Sequence, residues 1–141
     1  MNSKSELYQS LILDHNRAPR NYHPMAQPDR MAEGYNPNCG DQLKLWVKLD
    51  GDRIADISFE GNGCAISRAS ASLMTTAVKG RTRADALAMF EAFHHMITGH
   101  ADAEAPALPA KLQAFAGVSE YPQRVKCAGM AWHALKDALK E

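Results

Sequence analysis

Three cysteines and one acid are the residues here whose types and spacing point to chemistry. Cys39 and Asp41 stand two residues apart in Tyr35-Asn36-Pro37-Asn38-Cys39-Gly40-Asp41, a turn punctuated by proline and glycine. Cys64 and Cys127 are the other two thiols, and each falls where a loop gives way to a predicted helix. Three thiols and a carboxylate match the donor set of one tetrahedral metal site, because zinc takes sulfur and oxygen ligands in that geometry. A plainer reading stands beside each residue. A free cysteine is often a small buried hydrophobe, and Asp41 could serve as a turn residue or a cap. Three features favour the metal reading together. The Pro37–Gly40 turn is a poor place to bury a thiol. Gly61-Asn62-Gly63 before Cys64 allows close backbone approach. Arg124 lies one helical turn before Cys127, and helix N-termini and nearby cations favour the thiolate form that binds metals.

The other candidates are weaker. His94 and His95 fall on the flank of an amphipathic helix, as solvated or capping residues, and His133 falls on a polar helix face. His15 and His23 lie near an N-terminal connection from which one could enter a site. Lys126, beside Cys127, solvates its turn or tunes the thiolate.

These residues need a frame. Ser3 with Glu6 reads as a capping box, and Leu7, Leu11, Ile12 and His15 recur at helical spacing up to Arg17–Pro19. Residues 20–35 hold Pro24 and Pro28 and show no period, although Met31–Tyr35 could add an edge strand. Gln42–Leu49 alternates strictly, with Leu43, Leu45, Val47 and Leu49 on one face. Asp50-Gly51 is a hairpin signal, and Arg53–Glu60 is its partner strand, with Ala55, Ile57 and Phe59 pointing inward. Ile66, Ala69, Ser70, Leu73, Met74 and Ala77 form a helical stripe stopped by Gly80. Thr82 with Asp85 opens another helix, whose stripe runs from Ala86 through Phe90 and Phe93 to Ile97 and stops at Gly99. Residues 100–109 read as a loop and Lys111–Ala116 as a short helical turn. Pro122 starts the last helix. Its main stripe is Val125, Ala128, Trp132, Leu135 and Leu139, and a second strip of small residues includes Cys127. The expected architecture is one α+β domain over residues 1–141, a small antiparallel three-stranded sheet with helices packed on one face.

Composition narrows the function classes. The chain has 141 residues, enough for one domain with a modest core. Lys+Arg and Asp+Glu both total 16, so nothing supports broad electrostatic binding of nucleic acid. No apolar run matches a signal peptide or a membrane span. Three cysteines are too few for a disulfide framework, which points to a reducing, cytoplasmic setting.

Three motifs in order carry a resemblance over nearly the whole chain: Asn36-Pro37-Asn38-Cys39-Gly40-Asp41; Phe59-Glu60-Gly61-Asn62-Gly63-Cys64-Ala65-Ile66-Ser67 with Ala69-Ser70-Ala71-Ser72; and Arg124-Val125-Lys126-Cys127. The sequence resembles the U-type iron–sulfur cluster assembly proteins, the IscU/NifU superfamily. Three departures from the IscU pattern favour the SufU branch. Lys126 stands where IscU has a histidine before its third cysteine. Tyr121-Pro122-Gln123-Arg124-Val125-Lys126 replaces the Leu-Pro-Pro-Val-Lys chaperone-recognition stretch. The interval from Cys64 to Cys127 is longer. The resemblance implies a SufU/IscU-like fold and a zinc ion held by Cys39, Asp41, Cys64 and Cys127. It also implies sulfur acceptance from a SufS-type cysteine desulfurase, with downstream iron–sulfur scaffold proteins as recipients. Cys39 is the expected acceptor, because a loop ligand swings out more easily than one at a helix start. Arg124 would steady the site or the incoming negative charge. The alternative function is a scaffold on which the same residues hold an iron–sulfur cluster.

Overall fold

The computed structural model of the protein describes residues 3–37, 40–100 and 108–140. The elements run α1 (Ser3–Arg17), β1 (Arg30–Asn36), β2 (Asp41–Asp50), β3 (Arg53–Asn62), α2 (Ala65–Val78), α3 (Arg83–Ile97), α4 (Ala110–Gln113) and α5 (Pro122–Leu139). A 3-10 segment, Ala114–Glu120, joins α4 to α5, so the expected short turn is present and longer than its pattern indicated.

The sheet is antiparallel in the order β1-β2-β3, and the edge strand expected from Met31–Tyr35 is β1. In the β1–β2 register Asn36 pairs with Asp41, so the hairpin places a buried polar residue on each side of its turn. Leu43, Leu45 and Val47 are buried beneath α5, which packs on β1 and β2, while α2 packs on β3.

The partner strand departs from simple alternation. A register shift lies between Lys48 and Leu49, so Lys48 pairs with Asp56 while Leu49 pairs with Ile54. The extra residue, Ala55, turns outward and is exposed, and Ile54 is fully buried in its stead. A bulge reverses the side of every residue beyond it.

In α1, Leu11 and His15 are buried, but Leu7 is 39% exposed, so the helix meets the core along a narrower stripe than its sequence indicates. The segment after α1 is pinned down. The Arg20 amide donates to Ser72 Oγ (2.8 Å), Asn21 Nδ2 donates to Thr75 Oγ1 (2.9 Å), and Tyr22 pairs with the outer edge of β3 at Phe59. This covers the edge that the hairpin leaves open. Among the described residues no helix is long and apolar enough to cross a membrane.

Candidate metal centre

Asp41 opens β2 and is 1% exposed. Its Oδ1 accepts a hydrogen bond from the Cys64 amide (2.9 Å), and its Oδ2 lies 3.8 Å from Cys64 Sγ. Cys64 is the N-cap of α2. Its sulfur faces the Ser67 amide at 3.5 Å, while Ser67 Oγ donates back to the Cys64 carbonyl (3.0 Å). The cap therefore aims one sulfur along the positive end of the helix dipole. Cys127 lies in the second turn of α5 and is 4% exposed, with Asn36 Nδ2 at 3.9 Å from its sulfur.

Three elements distant in sequence thus converge. One ligand atom from each of Asp41, Cys64 and Cys127 lies within 4.8 Å of the others. A tetrahedral zinc with sulfur and oxygen ligands has donor–donor edges of about 3.6–3.8 Å, from Zn–S near 2.3 Å and Zn–O near 2.1 Å. The Asp41–Cys64 separation of 3.8 Å already matches such an edge. Among the described residues no lysine or arginine forms an ion pair with the buried Asp41 carboxyl. A buried carboxylate facing two sulfurs is a donor set that suits a divalent ion. The residues fit zinc. Cys39, the fourth expected ligand, lies outside the described residues.

The packing around the ligands leaves little room. A Cβ added at Gly63 would lie 2.4 Å from Ser67 Oγ and 3.1 Å from Asp41 Oδ1, so only glycine lets this turn pass. Ser70 Oγ donates to the Ala128 carbonyl (2.6 Å), tying α2 to α5 one residue beyond Cys127.

Arg124 is exposed and stacks over the Tyr121 ring at 4.4 Å. It forms no ion pair among the described residues, and it lines a groove with Tyr8, Ile66 and Tyr121. Lys126 points to a different groove, shared with Asn36 and Pro37. Of the histidines, His15 is in the core, 3% exposed, with Nδ1 at 2.7 Å from Ser72 Oγ, so it enters packing rather than the metal centre.

Sequence reasoning passed over Tyr8. Its hydroxyl is buried without a hydrogen-bond partner, and its ring meets Phe115 edge-on. Burial pushes the Tyr8 phenol up. The Arg124 charge opposes that shift, and Cys64 and Cys127 reinforce it. Tyr8 therefore shares the electrostatic surroundings of the two thiols. Nothing in the spacing of α1 signals this, because the contact depends on how the helix docks. Ser67 and Asn36 belong to the quoted motifs, but their roles, one holding the Cys64 sulfur and one facing Cys127, emerge from the fold alone.

Comparisons with known proteins agree with this fold. The model of the NifU-like N terminal domain matches residues 7–128. The zinc-dependent sulfurtransferase SufU of Bacillus subtilis (strain 168) is 42% identical over 133 residues, covering 94% of this chain and 89% of that protein. The iron–sulfur cluster assembly scaffold protein IscU of Streptococcus pyogenes serotype M1 is 41% identical over 136 residues, covering 96% and 84%. The crystal structure of FiSufU, a SUF-system protein of Fervidobacterium islandicum AW-1, superposes with a TM-score of 0.87 at 34% identity, covering 99% of this chain and 100% of that one.

Proposed function

The chain belongs to the NifU-like N-terminal domain family of the IscU/NifU superfamily, and from that premise we propose that it is a zinc-dependent sulfurtransferase. It accepts persulfide sulfur from a SufS-type cysteine desulfurase and passes it toward iron–sulfur scaffold proteins in the cytoplasm. The observation that carries this reading is the convergence of a buried carboxylate and two sulfurs from β2, α2 and α5. Lys126 supports the SufU branch over IscU, because it occupies the position where the scaffold pattern has a histidine beside the third cysteine. The likeness to a relative named as a zinc-dependent sulfurtransferase supports it further.

Asp41, Cys64, Cys127 and, by sequence, Cys39 are the residues that would hold the ion, which when bound keeps its sulfur ligands deprotonated near neutral pH. The transfer itself is an exchange at sulfur. The Cys39 thiolate attacks the outer sulfur of the desulfurase's cysteine persulfide. A new S–S bond forms on Cys39, the old S–S bond breaks, and its electron pair leaves with the desulfurase thiolate. One persulfide replaces another, so no external oxidant or reductant enters. The Ser67 amide and the Asp41–Cys64 hydrogen bond keep the α2 ligand in place while Cys39 reacts. Arg124, exposed on the wall of the neighbouring groove, offers positive charge to the arriving anionic sulfur.

Native, untagged protein is expected to carry one zinc per chain and to accelerate cysteine turnover by a SufS-type desulfurase. Cys39→Ala abolishes sulfur acceptance, read as loss of persulfide on the chain by mass spectrometry. Sulfur acceptance that survives Cys39→Ala overturns the acceptor assignment. The second reading, a cluster scaffold, draws on the likeness to a relative named as one. It predicts a stable coloured cluster after reconstitution with iron and sulfide, transferable to an apo-ferredoxin.

A further inference from the structure

Outside the metal centre, α3 and α5 gather a second set of donor side chains. His94 stacks on Phe90 with ring centres 5.8 Å apart, and His133 sets its ring against both, 5.4 Å from His94 and 5.1 Å from Phe90. Both imidazoles line an open groove of about 500 Å³ that also takes in Asn36, Lys126 and Asp137. The groove begins beside the sulfur-lined centre, since Asn36 faces Cys127 Sγ and Lys126 precedes it in sequence.

We propose that His94, His133 and Asp137 form a second, weaker site for a divalent transition cation, a holding position in the groove beside the sulfur-lined centre. Three observations carry it. First, two imidazoles bound to one tetrahedral zinc, at Zn–N distances of about 2.0–2.1 Å, have ring centres about 5.2–5.4 Å apart. The His94–His133 ring centres lie at this spacing, 5.4 Å, so the helices need not move, although side-chain rotation has to turn one nitrogen of each ring toward a common point. Second, His133 and Asp137 stand four residues apart on α5 and line the same groove, the spacing that puts two metal ligands on one helix face. Asp137 now rests on Lys140 at 3.2 Å, on the surface, and binding of the cation would require it to leave that partner and turn toward the imidazoles. Third, the approach is open because residue 129 is glycine. A Cβ there would lie 3.4 Å from Ile97 Cδ1, 3.7 Å from His133 Cδ2 and 3.9 Å from His133 Nε2, ordinary contacts that an alanine could make. Glycine is unfavourable inside a helix. Packing does not demand it here, and its effect is to leave the Nε2 edge of His133 clear. Neutral imidazoles with a carboxylate are borderline ligands that suit zinc, iron or cobalt. The site lacks thiolates, so it binds more weakly and releases more readily than the sulfur-lined centre.

The test uses the full chain already loaded with one equivalent of zinc, titrated with cobalt(II) under equilibrium dialysis. Histidine ring signals are followed by NMR. The wild type takes up a second equivalent, and the His94 and His133 rings show the paramagnetic effect. His94→Gln and His133→Gln each weaken the second equivalent about tenfold or more and keep the first. His95→Gln, on the exposed side of α3, changes neither. Gly129→Ala weakens the second equivalent with no loss of thermal stability. It removes no ligand, so it decides the matter if either histidine variant loses its fold. Cys64→Ser reports separately on the sulfur-lined centre, because it lowers uptake of the first equivalent. The proposal is overturned if no second equivalent binds, or if its uptake is unchanged in the His94, His133 and Gly129 variants.

Discussion

Asp41 does two jobs with one carboxylate, accepting the Cys64 amide on Oδ1 and facing the Cys64 sulfur with Oδ2. A ligand that also fixes the backbone of the next ligand is held in place before any ion arrives, which lowers the ordering cost of binding. His15 shows the same economy in the core. Its imidazole contacts Ser72 Oγ, the atom that also accepts the Arg20 amide, so one hydroxyl joins α1, α2 and the connection between α1 and β1. Burial holds His15 below its ordinary value of 6.5, and the Arg20 charge adds to the shift. The unfolded chain therefore binds a proton more readily than the folded one. The stability this residue protects is intact above about 6.5 and falls as pH drops through that value. Urea midpoints are expected to decline between pH 7.5 and 5.5 in the wild type and to decline less in His15→Gln. All other side chains are common to both proteins, so an equal decline would refute the assignment to His15.

At the scale of elements, the centre depends on how α2 meets α5, since each carries one sulfur. The buried Ser70–Ala128 hydrogen bond sets that contact. Ser70→Ala is expected to cost about 1 kcal/mol of stability and to weaken zinc binding, measured by thermal unfolding and competition with a chelator. Unchanged zinc affinity would show that the helix contact does not control ligand spacing. Much at this scale was legible in the sequence. The alternating run from Gln42 to Leu49 became β2, and the Thr82 cap accepts the Asp85 amide at 3.1 Å, as its spacing indicated. What escaped has physical reasons. Periodicity assumes an unbroken ladder, so the bulge that exchanges Ile54 for Ala55 was invisible. The order of residues 20–22 comes from side chains on α2 far along the chain, which local pattern cannot register. Asp41, Cys64 and Cys127 were legible because chemistry named them before any element had to be placed. Tyr8 escaped because its hydroxyl acquires its neighbours only when α1 docks.

The whole molecule is a sheet with helices on one face, and its metal centre lies where both layers and the last helix meet. An ion bound by these donors would close the fold as well as supply chemistry. Chelation of the ion is expected to lower Tm by about 10 °C or more, if at least about 4 kcal/mol of stability is lost at roughly 2–4 °C per kcal/mol. A Tm insensitive to chelation would show that the layers hold together without the ion. Because the donors sit at positions 41, 64 and 127, the cavity for the cation cannot exist until the final helix has been synthesised and has docked. During translation, a nascent chain that stops short of Cys127 carries the first ligands without a closed pocket for them. Capture of a metal ion by all three donors would then be a late event of biosynthesis, open only to a chain whose α5 has docked.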